Sequence, residues 1–176
     1  MKIYIVVSQT RTLVGSVIRW YTKNEYNHVS IGLDETLEQC FSFARKNRWN
    51  PFFGGLVKEE FYDNPHYKKG KIIVFTCDVS AEDYNAIKNR VHRMHADAHF
   101  YKYSYAAITG ILLKRPLSRE NKYTCAQFVA ELLESIDLEV SSKDLELTIP
   151  QDFMDYDKLQ LVYTGPVHRY LVEQKN

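Results

Sequence analysis

A surplus of one charge is missing from this chain: 23 Lys and Arg stand against 22 Asp and Glu, a formal charge of +1. Without a basic field to neutralise phosphates, a nucleic-acid partner is not expected. Cysteine is scarce. Cys40, Cys77 and Cys125 form no paired framework and no CxxC motif, so no disulfide scaffold is expected, and a reducing cytoplasm is the expected setting. Long apolar runs are absent as well. The nearest, Tyr105–Leu113, falls far short of the roughly 18 residues of a membrane span. The amino end, MKIYIVVSQT, has one lysine and a five-residue apolar run. That lacks the longer apolar region and small-residue cleavage site of a secretory signal, and reads as a buried first strand.

What is present describes one globular domain over residues 1–176. The composition is 45% hydrophobic and 26% charged, at a length that supports a hydrophobic core. Residues 2–7 read as a strand covered on both faces. Leu13, Val14, Val17, Ile18 and Tyr21 recur at helical spacing. Val29, Ile31 and Leu33 alternate with His28, Ser30 and Gly32, and residues 37–43 alternate again after an Asp34-Glu35-Thr36 turn, which predicts a hairpin. Residues 45–70 are irregular, a candidate substrate-facing loop with a short strand near residues 56–61. A strand is expected over 71–77. A helix follows, capped by Ser80 with Asp83 and burying Tyr84, Ile87, Val91, Met94 and Ala98. Further helices are expected over 105–113 and 124–136, and two strands over 159–163 and 167–172. Helices and strands mix without strict alternation, so the class is α+β.

Thr124-Cys125-Ala126-Gln127 has the S/T-x-x-Q pattern of a capping box, which makes Thr124 the N-cap and puts Cys125 in the first turn. Phe128, Val129, Leu132, Leu133 and Ile136 follow at spacings that put Cys125 at the amino end of the packed face. Free backbone N–H groups and the positive end of the helix dipole favour thiolate there, and the same N–H groups suit an oxyanion. The bland alternative is a small buried residue, as most free cysteines are.

A thiolate nucleophile needs a base, and the base needs an orienting group. His28 opens the first hairpin strand, with its side chain opposite to Val29, Ile31 and Leu33. A three-residue turn pairs His28 with Ser42 and Ser30 with Cys40, placing Glu38, Cys40 and Ser42 on the histidine's side.

The order of these pieces carries a resemblance. Asn27-His28-Val29-Ser30-Ile31-Gly32-Leu33 resembles the histidine strand of the circularly permuted NlpC-type papain-like cysteine amidases, and Tyr123-Thr124-Cys125-Ala126-Gln127-Phe128-Val129 resembles their nucleophile helix. Here histidine precedes cysteine by 97 positions, the permuted order shared with the lecithin:retinol acyltransferase group. Ile149-Pro150-Gln151-Asp152-Phe153 also resembles a segment typical of bacterial members. The resemblance implies an antiparallel sheet carrying the histidine, with the cysteine helix packed against it. It further implies a thioester route in which Cys125 attacks an amide or ester carbonyl and His28 moves the proton, with no cofactor or metal. Relatives carry a third polar residue after the histidine. Ser42 is the best positional match here; a Cys125–His28 dyad and a residue from elsewhere, such as Glu60, are the alternatives. The expected substrate is a small molecule or peptide with an amide bond, such as a cell-wall fragment. A lipid-acyl hydrolase or transferase and a degenerate ligand-binding module remain the alternatives.

Three other groupings compete. His92, His95 and His99 sit at helical spacings of three and four, as metal ligands can, although a polar stripe beside the buried face explains them without a metal. Phe100-Tyr101-Lys102-Tyr103-Ser104-Tyr105 interleaves aromatics with one lysine, too thin a positive footprint for single strands, so core packing or groove lining is expected. Asp152, Asp155 and Asp157 suit the capping or solvation of a short helix.

Overall fold

The computed structural model describes residues 1–10, 13–45, 54–62 and 70–174. Most of the expected loop over 45–70 lies outside that set; its one described strand is Gly54–Lys58. The architecture is mixed α+β, a six-stranded antiparallel sheet with helices packed on it. In chain order the elements are β1 (Lys2–Ser8), α1 (Leu13–Thr22), β2 (His28–Gly32), β3 (Cys40–Arg45), β4 (Gly54–Lys58), β5 (Lys71–Asp78), α2 (Ala81–Ala96), β6 (Lys102–Tyr103), α3 (Tyr105–Leu113), β7 (Lys122–Tyr123) and α4 (Cys125–Glu134). A short 3-10 turn over Leu145–Leu147 leads to α5 (Pro150–Met154), β8 (Gln160–Pro166) and α6 (Val167–Glu173). The strand order is β4-β3-β2-β1-β5-β8, and β6 and β7 form a separate parallel pair.

β1 lies mid-sheet, and residues 3–8 are buried, which explains a continuous apolar run where one-sided burial would give alternation. Ile3, Ile5, Val7, Val29, Ile31 and Leu33 face a core built with Tyr84, Ile87, Val91 and Met94 of α2 and with Phe128, Val129, Leu132 and Leu133 of α4. Tyr4, Val6, Ile72 and Val74 face the opposite side, under Val167, Tyr170 and Leu171 of α6. The last segment corrects a sequence expectation. Residues 167–172 are helical, because their buried members recur at three and four; an alternating reading picks out Val167, Arg169 and Leu171 instead, and Arg169 is exposed. The strand before it runs through Gly165 to Pro166.

The first hairpin is also corrected. Asp34 organises a longer turn than three residues: its carboxylate accepts from the N–H groups of Glu38 (2.8 Å) and Gln39 (2.7 Å) and from the Thr36 hydroxyl (2.7 Å). β3 therefore starts at Cys40, and the register is Ile31↔Phe41 and Gly32↔Cys40. This is two residues from the expected pairing. An even shift preserves the face, so Ser42 stays on the side of His28; Glu38 does not, being exposed in the turn. Capping went as expected at α2, where the Ser80 hydroxyl accepts from the Asp83 N–H at 3.0 Å. That helix stops at Ala96, and Ala98 is only half-buried. Among the described residues no helix is long and apolar enough to cross a membrane.

Candidate active site

Thr124 caps α4 with its hydroxyl, which accepts from the Gln127 N–H at 3.1 Å, while its carbonyl accepts from the Phe128 N–H at 3.1 Å. Two donors of the first turn are used up in this way, leaving the N–H groups of Cys125 and Ala126. The capping box is only half made: the Gln127 side-chain oxygen is buried without a partner among the described residues. Cys125 is 6% exposed and packs into the main core. The N–H groups of Ala126 and Val29 are both directed at its sulfur. Val29 belongs to β2, whose ladder with β3 covers only Ile31↔Phe41 and Gly32↔Cys40. Beyond that ladder the amino end of α4 reaches β2.

His28 is the first residue of β2 and is buried. Its Nε2 donates to Glu59 Oε1 at 2.8 Å and lies 3.1 Å from the Ser42 hydroxyl. Ser42 in turn donates to the same carboxylate oxygen, and Ser30 reaches it at 3.5 Å. Nε2 is thus occupied, which leaves Nδ1 for the thiol, and a side-chain hydrogen bond joins His28 to Cys125. The sequence-based candidate Ser42 does touch the imidazole, but the group that can balance an imidazolium is Glu59. Glu60, the carboxylate suggested by sequence, is exposed, whereas Glu59 is 7% exposed. Glu59 was missed because it lies just past the end of β4; its N–H bonds to the Cys40 carbonyl at 2.8 Å, which continues the β3–β4 register onto the His28 face. Cys40 is buried on this face too, hydrogen-bonded with Ser30.

The electrostatics follow from this packing. Burial by itself raises the Cys125 thiol, but the charge of His28, its hydrogen bond, and the Val29 and Ala126 N–H groups outweigh it, so the thiol lies below its ordinary value. Burial alone would lower His28. The facing Cys125 charge and hydrogen bond, then Glu59, overcome that and push it up to about 10. Thiolate and imidazolium stabilise each other, so the two shifts both favour the ionic form of the pair.

A further side chain, Tyr103, was not anticipated as a site residue. The two-residue parallel ladder Lys102↔Lys122 and Tyr103↔Tyr123, with the Ser104 N–H on the Tyr123 carbonyl at 2.9 Å, sets Tyr103 beside the start of α4. Its hydroxyl hydrogen-bonds with Cys125, and its own ionisation is raised well above the ordinary value, first by burial and then by the Cys125 charge. The sequence signal was the aromatic run over 100–105, for which groove lining was one expectation. Close packing holds Tyr103 in place: a Cβ on Gly54 would sit 2.8 Å from Tyr103 Cβ and 3.1 Å from the Ala44 carbonyl. Gly54→Ala is therefore expected to force β4 away from β6 and to destabilise the protein by roughly 1–3 kcal/mol, read as a lower urea midpoint. An unchanged midpoint would show that β6 yields freely.

The remaining groupings stay outside this centre. His92 and His95 are exposed on α2 with their rings edge-on to Phe41, at 5.7 and 5.3 Å, and His99 packs on Phe100 at 3.9 Å. Among the described residues no three His, Cys, Asp or Glu side chains converge as metal ligands. Asp152 accepts from the Ile149 N–H at 2.9 Å and pairs with Lys143 at 2.6 Å, and Asp155 accepts from the Gln151 side chain at 2.8 Å, so both serve the short helix α5. Compared with known proteins, the chain matches no family profile and no curated sequence.

Proposed function

We propose that this protein is a cysteine hydrolase of amide bonds with a permuted papain-like, NlpC-type fold. The observation that carries the reading is the chain of contacts Cys125–His28–Glu59, in which a helix-capped thiol meets a buried imidazole backed by a carboxylate. Cys125 sulfur attacks the carbonyl carbon, and the N–H groups at the start of α4 donate to the developing oxyanion. The C–N bond breaks as His28 gives its proton to the departing amine, leaving a thioester. Water, deprotonated by the now neutral His28, then attacks the thioester and releases the acid. Glu59 keeps the imidazole oriented and stabilises its charged form, a role Ser42 alone could fill only weakly. A peptide or amino-acid amide is the expected substrate class.

An activated acyl probe tests this directly. Wild-type protein is expected to gain one acyl mass on Cys125, removable by hydroxylamine as thioesters are, and Cys125→Ala is expected to gain none. If both stay unlabelled between pH 6 and 9 while folded, the same cleft is a binding site and the hydrolase reading falls.

A further inference from the structure

Beside the thiol lies a cleft of ≈ 390 Å³ lined by Tyr103, Tyr105, Ala106, Thr109, Arg119 and Lys122. Tyr103 belongs to both places: its hydroxyl meets Cys125 while its side chain walls the cleft, tilted against Tyr105 at 5.2 Å between ring centroids. Two cations line it as well. Arg119 and Lys122 flank a tight turn closed by the Lys122 N–H on the Arg119 carbonyl at 3.1 Å, with Asn121 in the left-handed region at φ 55°. The turn is tied to β6 as well, because the Lys102 N–H bonds to the Asn121 carbonyl at 2.9 Å. Among the described residues neither cation is in an ion pair. A turn fastened at two points thus brings Arg119 and Lys122, with the exposed Glu120 between them in sequence, to the cleft that Tyr103 and Tyr105 also line.

We infer that this cleft is an anion-reading subsite, and that the substrate carries a carboxylate or phosphate held by Arg119 and Lys122 while its reacting carbonyl lies at Cys125. The inference rests on the hydrolase reading above and adds the substrate's charge to it. Arginine and lysine both donate to such groups, arginine in a bidentate fork. The apolar ring faces of Tyr103 and Tyr105 fit the short spacer between anion and carbonyl.

Matched alkylating probes separate the subsite from the nucleophile. N-bromoacetylglycine carries a carboxylate, N-bromoacetylglycinamide is its neutral partner, and N-bromoacetyl-phosphoethanolamine carries a phosphate. In each, Cys125 thiolate displaces bromide and forms a thioether. The quantity read is the ratio of anionic to neutral alkylation rates, so a general change in reactivity cancels within one protein. Wild type is expected to favour an anionic probe by about tenfold or more at low salt, the range of one charge-assisted hydrogen bond. Whichever anion gains more identifies the group recognised. Arg119→Gln with Lys122→Gln is expected to remove most of that preference. Arg93→Gln with Lys158→Gln, an equal charge change at residues that do not line the cleft, is expected to keep it. A wild-type ratio near one, or a preference that survives the double substitution, overturns the subsite. Slow wild-type reaction with iodoacetamide at pH 6.5 would instead overturn the hydrolase reading on which it rests.

Discussion

Iodoacetamide is expected to alkylate Cys125 rapidly at pH 6.5 while Cys40 and Cys77 remain unmodified. The three thiols are all buried, so burial alone does not separate them; their neighbours do. Cys40 is raised well above its ordinary value by burial and then by Glu59 and Asp34, and Cys77 is raised by burial and Asp78. Cys125 alone is lowered, through His28 and two backbone N–H groups. An ordinary thiol is only about 1% ionised at pH 6.5. Replacing His28 by Ala should return Cys125 toward that state and slow alkylation roughly 10- to 100-fold, the smaller figure applying because a more basic thiolate is also more nucleophilic. Hydrolysis should fall much further, on the order of 10⁴-fold, since the proton donor to the leaving amine is lost with the same substitution. Peptide mapping of the alkylated protein across pH reads all of this. A Cys125 profile with its midpoint near 8.5, insensitive to His28→Ala, would remove the ion pair from the account.

The second large effect belongs to Glu59, the residue that sequence reasoning missed by one position. Its carboxylate raises His28, and the Cys125 charge raises it more. In Glu59→Gln the high-pH limb of activity, set by loss of the imidazolium proton, should therefore move down from near 10, stopping short of 6.5 because the thiolate remains. The low-pH limb, set by protonation of Cys125, should move up, since a less stable imidazolium holds the thiolate less well. The active window narrows from both sides, and kcat is expected to drop on the order of 10²-fold. Glu59→Ala leaves a buried His28 and two serines facing an empty space and is expected to cost roughly 3–5 kcal/mol in urea unfolding. Glu60→Gln is the control: its side chain is exposed and neither limb should move. Equal profiles for the Glu59 and Glu60 variants would mean that Ser42 alone orients the histidine.

The strands and the capped helices were legible because each rests on local chemistry, whereas the pairing of His28 with Cys125, 97 positions apart, came from the resemblance in the order of the motifs. Alternation, a Thr124 hydroxyl three residues from Gln127, and apolar spacing along α4 are all written within a few residues. What depended on distant pairing was harder. The hairpin register slipped by two because the Asp34 carboxylate holds a longer turn than its residue types suggest, and the face survived only because the slip was even. Glu59 could not be separated from Glu60 without the β3–β4 register, since one residue decides which of two adjacent carboxylates points at the imidazole. Tyr103 is placed by a parallel ladder of two residue pairs, too short to leave a periodic trace. α6 was misread because Val167, Arg169 and Leu171 alternate as a strand does, while Tyr170 beside Leu171 fits only a helix.

The two N–H groups aimed at the sulfur come from β2 and α4, segments synthesised far apart. Activation of Cys125 is thus a property of the finished fold. A chain still emerging from the ribosome, with β2 made but α4 not yet docked, carries only an ordinary thiol. Peroxides oxidise thiolates far faster than thiols, so the undocked chain is expected to form sulfenic acid more slowly than the folded protein. The same dependence implies that loosening of the β2–α4 contact, before any global unfolding, is enough to switch the sulfur off.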